Sequence, residues 1–109
     1  MQLVHDLIKR IILLKRRPNM SREEFKNHWL NKHAEVVKTF PEIKKYTINC
    51  VIGSESEYDG VSELWFNDEI SMRKLDSSER FKQFVKDDNP KFQDLNKRWS
   101  STVEEITVV

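Results

Sequence analysis

Apolar positions along the first forty residues change their spacing once. In "KRIILLKRR" the four consecutive positions Ile11 to Leu14 are apolar, which fills both faces of a short, partly β-branched strand and calls for cover on both sides. "RRPNMSREE" follows as a turn. Beyond it the spacing lengthens: at about 100° per residue, Phe25, Trp29, Val36 and Phe40 fall in one stripe, with Leu30 and Val37 on its flank. Ser21 with Glu24 three residues later forms a capping box, so the helix begins near Arg22. Pro41 ends it, because the residue before a proline is pushed out of the α region. Lys26, Asn27 and Glu35 point away from the stripe, while Lys32 sits on its edge and breaks the pattern. His33 lies on the stripe between Trp29 and Val37. His28 lies on the opposite shoulder, toward solvent.

Further along, "IKKYTINCVI" alternates, with Tyr46, Ile48, Cys50 and Ile52 on one face and Thr47, Asn49 and Val51 on the other. "GSESEYDG" is a polar turn region, and "VSELWF" is a second strand that puts Glu63 on the face of Val61 and Trp65. Asp68 is placed to cap a helix through Ile70, Met72 and Leu75. Ser77 or Ser78 is placed to cap another that carries Phe81, Phe84 and Val85. "KDDNPKF" breaks that helix, and the β-branched "TVEEITVV" closes the chain as a strand. The order β-α-β-β-α-β is the ferredoxin-like α+β arrangement with a four-stranded antiparallel sheet. Helices cover only one face of such a sheet, yet Ile11–Leu14, Trp65 and Phe66 require cover on both. A homodimer packed sheet on sheet is therefore expected.

Composition narrows the partners. The 109 residues make one domain, 1–109, small enough to bury only about two-thirds of its unfolded surface. Nineteen basic and eighteen acidic residues nearly balance, which argues against nucleic acid or an anionic membrane as partner. The apolar core of the basic run "LIKRIILLKRR" is four residues, too short for a secretory or membrane-spanning segment. With Cys50 as the one cysteine, no internal disulfide forms, as befits a cytoplasmic protein. Gly53 and Gly60 are the only glycines and stand apart, so neither a phosphate loop nor a dinucleotide fingerprint is present. His28 and His33 are five apart, about 140° around an α-helix. No metal-ligand spacing is found, and neither a metal nor a cofactor is expected.

The stretch "KRRPNMSREEFKNHWLNKHAEVVKTFPEIKKYTIN", followed by "YDGVSELWF", resembles the EthD-like family, named for ethyl tert-butyl ether degradation. The similarity extends over essentially the whole chain. It is most specific in the Arg17-Pro18 turn, the helix bearing Phe25, Trp29 and His33, Tyr46, and the strand from Glu63 to Phe66. The resemblance implies a dimeric α+β barrel and a superfamily that includes cofactor-free isomerases, polyketide cyclases and haem-degrading monooxygenases. The family's recurring helix histidine maps onto His33 and its strand tyrosine onto Tyr46. The haem-degrading pattern includes a late histidine, and none follows His33 in this chain, which disfavours haem. Tyr46 or Tyr58 would be unusual ligands for it. Fold likeness alone does not fix function in such a superfamily.

His33, Tyr46 and Glu63 are thus the candidate catalytic groups, with Trp29, Phe40 and Trp65 as candidate pocket wall. Imidazole titrates near neutrality and suits His33 to move a proton. The bland alternative is a hydrogen-bonded core histidine. Tyr46 would polarise a substrate oxygen, or serve as a core aromatic with a wet hydroxyl. Glu63 stands mid-strand, where a lone buried carboxylate is expensive. It is expected to pair with His33 or Tyr46 across the cavity, or with Arg10. Trp99 is a candidate dimer contact, and Cys50 an inert packed thiol. Glu104 and Glu105 face opposite ways and form no dyad. These residues imply a cofactor-independent enzyme acting by proton transfer on a small apolar or aromatic oxygenated compound. The rival reading is a non-catalytic small-molecule binding or accessory protein of an oxidative degradation pathway.

Overall fold

The first strand, β1 (Ile8–Leu14), is central to a four-stranded antiparallel sheet of order β2-β3-β1-β4. Its neighbours are β3 (Gly60–Phe66) on one side and β4 (Trp99–Glu104) on the other, with β2 (Lys45–Cys50) at the far edge. This computed structural model describes residues 8–109. The first seven residues of the expected domain, Leu7 of the basic run among them, lie outside the described residues. The ferredoxin-like order follows from the element sequence, because β1 and β3 take the centre and the two α-helical crossovers fall on one face.

The turn after β1 is closed by the Met20 N–H donating to the Arg17 carbonyl at 3.2 Å. Asn19 adopts the left-handed conformation there, with φ 67°, which asparagine tolerates better than most residues. The capping box forms as expected. The Glu24 N–H donates to Ser21 Oγ at 3.0 Å, and the Ser21 N–H donates to Glu24 Oε1 at 2.9 Å. The helix it starts is not uniform. It runs as α1 (Arg22–His28), a π-helical turn (Trp29–His33) and α2 (Ala34–Val37). In the wide turn the Ala34 N–H reaches back five residues to the Trp29 carbonyl, a geometry found mostly as single turns within α-helices. Asp68 caps α3 (Glu69–Ser77) and Ser78 caps α4 (Glu79–Asp88), both as expected. A short 3₁₀ turn with Pro90 follows at Asn89–Lys91.

Strand alternation sorts the side chains. Ile12, Leu14, Tyr46, Ile48, Leu64 and Phe66 face the helices and join two apolar clusters. One is centred on Val37, Phe40, Phe66 and Leu75, the other on Phe25, Trp29, Leu14 and Phe92. Cys50 packs half-buried against the second. The closing strand differs from the expected one. It begins at Trp99 and stops at Glu104, so Ile106–Val109 lie beyond the sheet and Ile106 and Val108 are exposed. Among the described residues β4 pairs along β1 from Ile8 to Leu13.

Gly60 is where the sheet meets the helix most closely. A Cβ there would overlap Trp29 Cζ3 and stand 2.7 Å from its Cη2. Gly60→Ala should therefore destabilise the protein by about 1–3 kcal/mol through overpacking. It should also shift the Trp29 fluorescence; denaturant unfolding and emission spectra check both effects.

Candidate active site

Between the inner face of the sheet and the helices lies a cavity of about 410 Å³, within the range of small-molecule sites. Ile12, Leu14, Val37, Leu64 and Val85 give it apolar walls, and Trp29 closes one side. Its polar groups include His33, Tyr46, Ser62, Asn89, Gln93 and Arg98, a stretch of β4 from Ser100 to Thr102, and an Arg10–Asp76 ion pair.

His33 is 8% exposed, with its ring packed against Phe84 and Phe92 at 5.1 and 4.9 Å between centroids. Its Nδ1 is 2.7 Å from Asp88 Oδ2. The carboxylate accepts, so Nδ1 carries the proton, and Nε2 is left as the unprotonated nitrogen of a ring that lines the cavity. Burial lowers the His33 pKa below the ordinary value, against an upward pull from Asp88. The resting imidazole is therefore neutral and available as a base, and Asp88 is placed to steady the imidazolium once a proton arrives.

His28 is not the solvent-facing residue expected. It stacks on Phe92 at 4.8 Å, and its Nε2 donates to the same carboxylate, 3.0 Å from Oδ1 and 3.2 Å from Oδ2. The π-turn explains the correction. Its turn holds more residues than an α-turn, so positions five apart come round to one side. Both imidazoles converge on the Asp88 carboxylate. Among the described residues no group of three or more His, Cys, Asp or Glu is arranged to hold a metal ion.

Tyr46, on β2, lines the same cavity. Burial pushes its phenol up to about 12, with a smaller opposing pull from the Trp29 and Ser62 side chains. It stays protonated at neutral pH and is a hydrogen-bond donor.

Glu63 does not reach this site. It pairs in register with Ile11 and Thr47, whereas Tyr46 pairs with Leu64, and alternation sends it to the outer face of the sheet. It accepts hydrogen bonds there from Lys9 Nζ (2.9 Å), Thr47 Oγ1 (2.9 Å) and Asn49 Nδ2 (3.0 Å). The Lys9 hydrogen bond, reinforced by Asn49 and Thr47, keeps its carboxyl below the usual range despite partial burial. Arg10, the partner considered for it, faces inward and forms a bidentate pair with Asp76 at 2.6 and 2.9 Å.

Of the three expected wall residues only Trp29 lines the cavity. Phe40 belongs to the core behind it, edge-on to Phe81 at 5.1 Å. Trp65 shares the outer face with Glu63. Its ring lies between the Lys9 and Lys45 ammonium groups, and its Nε1 donates to Glu105 Oε1 at 3.0 Å.

Sequence reasoning missed Asp88, Asn89, Gln93 and Arg98. A signal for Asp88 was present in "KDDN": carboxylates at a helix C-terminus oppose the helix dipole and need compensating donors. Asn89 and Gln93 are 6% and 5% exposed, and their Oδ1 and Oε1 atoms have no hydrogen-bond partner among the described residues.

The EthD domain family matches residues 17–96 of the chain. In structure the chain is similar to an EthD family protein from Bacillus halodurans, with a TM-score of 0.76 and 22% identity over 92% of this chain and 99% of that one. It is similar to a hydroxynitrile lyase from Passiflora edulis, with a TM-score of 0.75 and 12% identity, covering 97% and 99% of the two chains. A dimeric protein of unknown function with a ferredoxin-like fold from Bacteroides fragilis gives 0.70 at 12% identity, covering 92% and 97%. At these identities the structural likenesses show the fold. No curated protein matches the sequence.

The lowered His33 pKa fixes the sign of a stability effect. The unfolded histidine binds a proton more readily than the folded one, so stability falls as pH drops below about 6.5, by at most about 1.4 kcal/mol per pH unit. The loss ends once pH passes below the folded value. His33→Gln should flatten this dependence between neutral pH and the range where carboxylates titrate. Denaturant midpoints measured across pH 5.5–7.5 check it.

Proposed function

The chain belongs to the EthD domain family, and on that premise we propose that it is a cofactor-independent enzyme acting by proton transfer on a small apolar or aromatic oxygenated compound. One observation carries the reading: a buried imidazole, oriented through Nδ1 by Asp88, lines a cavity that has apolar walls on one part and hydrogen-bonding groups on the other. His33 Nε2 would take a proton from a carbon or hydroxyl of the ligand. Tyr46 would donate a hydrogen bond to the oxygen on which negative charge develops, and the same imidazolium would return the proton elsewhere. Isomerisation, dehydration, cyclisation and cofactor-free oxidation all begin with that abstraction. Asp88 takes the orienting place in the pair, and Glu63 belongs to the outer face.

We further propose a homodimer formed through the outer face of the sheet. Ile11, Leu13 and Val61 remain only half-buried there, Trp99 is 46% exposed, and the Bacteroides fragilis relative is described as dimeric.

Given a turnover assay, His33→Ala should lower kcat by about 10²–10⁴-fold, the usual contribution of a general base. Tyr46→Phe should cost about tenfold, the worth of one hydrogen bond. Activity should rise with pH through the His33 titration, and Asp88→Asn should move that limb to lower pH because the carboxylate raises the imidazole's pKa. A His33→Ala variant that binds ligands and turns them over normally would exclude this reading and leave a binding protein. Sedimentation should give twice the 13.1 kDa chain mass, and Leu13→Glu should yield the monomer.

A further inference from the structure

The charges of the side chains that line the cavity do not balance, with the Asp88 carboxylate set behind His33. Two guanidinium groups line it, those of Arg10 and Arg98, and one carboxylate, Asp76. Asp76 is engaged by Arg10 through both oxygens. Arg98 stands at the exposed rim before β4 and has no acidic partner among the described residues. It lies close enough to His33 for its charge to oppose protonation of the imidazole. Asn89 and Gln93 line the same cavity, and their carbonyl oxygens accept from no donor among the described residues. Buried polar groups are nearly always partnered, so two such carboxamides beside an uncompensated cation mark a place where a ligand completes the hydrogen bonding.

We propose that the cavity selects a monoanionic, hydroxylated aromatic acid, with its carboxylate on Arg98, its ring against the Trp29 wall and its hydroxyl donating to the Asn89 and Gln93 carboxamides. The proposal rests on the cavity being the ligand site argued above and adds the substrate class. A single uncompensated guanidinium matches a carboxylate in charge and in planar, bidentate shape. Phosphate would bring up to two negative charges against that one cation. The apolar walls and a volume of about 410 Å³ suit one or two fused rings. This placement sets the acid's ring beside His33 Nε2 and makes Arg98, Asn89 and Gln93 specificity-determining residues.

The probes are 6-hydroxy-2-naphthoate, its methyl ester and 2-naphthoate, titrated against the full chain by calorimetry. The hydroxy acid should bind about tenfold or more tighter than the ester, the worth of one charge-assisted hydrogen bond. Arg98→Met should reduce the acid to the ester's affinity and leave the ester unchanged, and Arg98→Lys should retain part of the preference. Asn89→Ala and Gln93→Ala should weaken the hydroxy acid more than 2-naphthoate. Equal binding of acid and ester, a preference that survives Arg98→Met, or no saturable binding of the acid would each overturn the proposal. Binding is read without turnover, so the acid preference stands even where His33→Ala disproves proton transfer. Turnover of neutral compounds with no acid preference would sink the proposal and leave the proton-transfer reading of His33 and Asp88 intact.

Discussion

Asp88 is the point on which the helical layer closes. Its carboxylate ends α4, where the helix dipole offers only negative potential, and it is 7% exposed. A buried carboxylate in that position is tolerated only with strong donors. The donors come from the helix that starts at Arg22: His28 and His33 both reach it. One shared anion therefore ties the two helical crossovers together, with Phe92 packed beside both imidazoles. The cavity is the space between that tie and the inner face of the sheet.

The tie accounts for the chemistry assigned to His33. A free imidazole would exchange its proton between two nitrogens. One nitrogen committed to Asp88 leaves the other with a defined lone pair and a defined direction. The aromatic neighbours exclude water, which weakens the imidazole as a base, and the carboxylate restores part of that strength. Tyr46 meets the same burial with the opposite consequence: its neutral form is favoured, and the hydroxyl remains a donor.

Much of this architecture was legible because it is local. The capping residues Ser21 and Asp68 each fixed a helix start, Ser78 was one of two candidates for a third, and strand alternation placed Tyr46 with Ile48 and Cys50 and Glu63 on the side of Trp65. What alternation could not say was which side held the cavity, so Glu63 was given a partner across it and found one in Lys9 instead. The helical phase failed at one place for a definite reason. An angle of 100° per residue assumes α geometry throughout, and the π-turn from Trp29 to His33 breaks that assumption within the site. Asp88 was missed because its partners lie 55 and 60 residues away in sequence. Only its unfavourable place on α4 hinted at them.

The two sides of the sheet differ in character along a single strand. Lys9 reaches outward to Glu63 and Glu105, while Arg10, the next residue, turns inward to Asp76. Neighbouring codons thus serve opposite surfaces, and substitutions on one surface can accumulate with little effect on the other. An insertion or deletion within β1 has no such freedom, because it would exchange the two surfaces at once. A change of length is better tolerated in the turns, where no strand register depends on it.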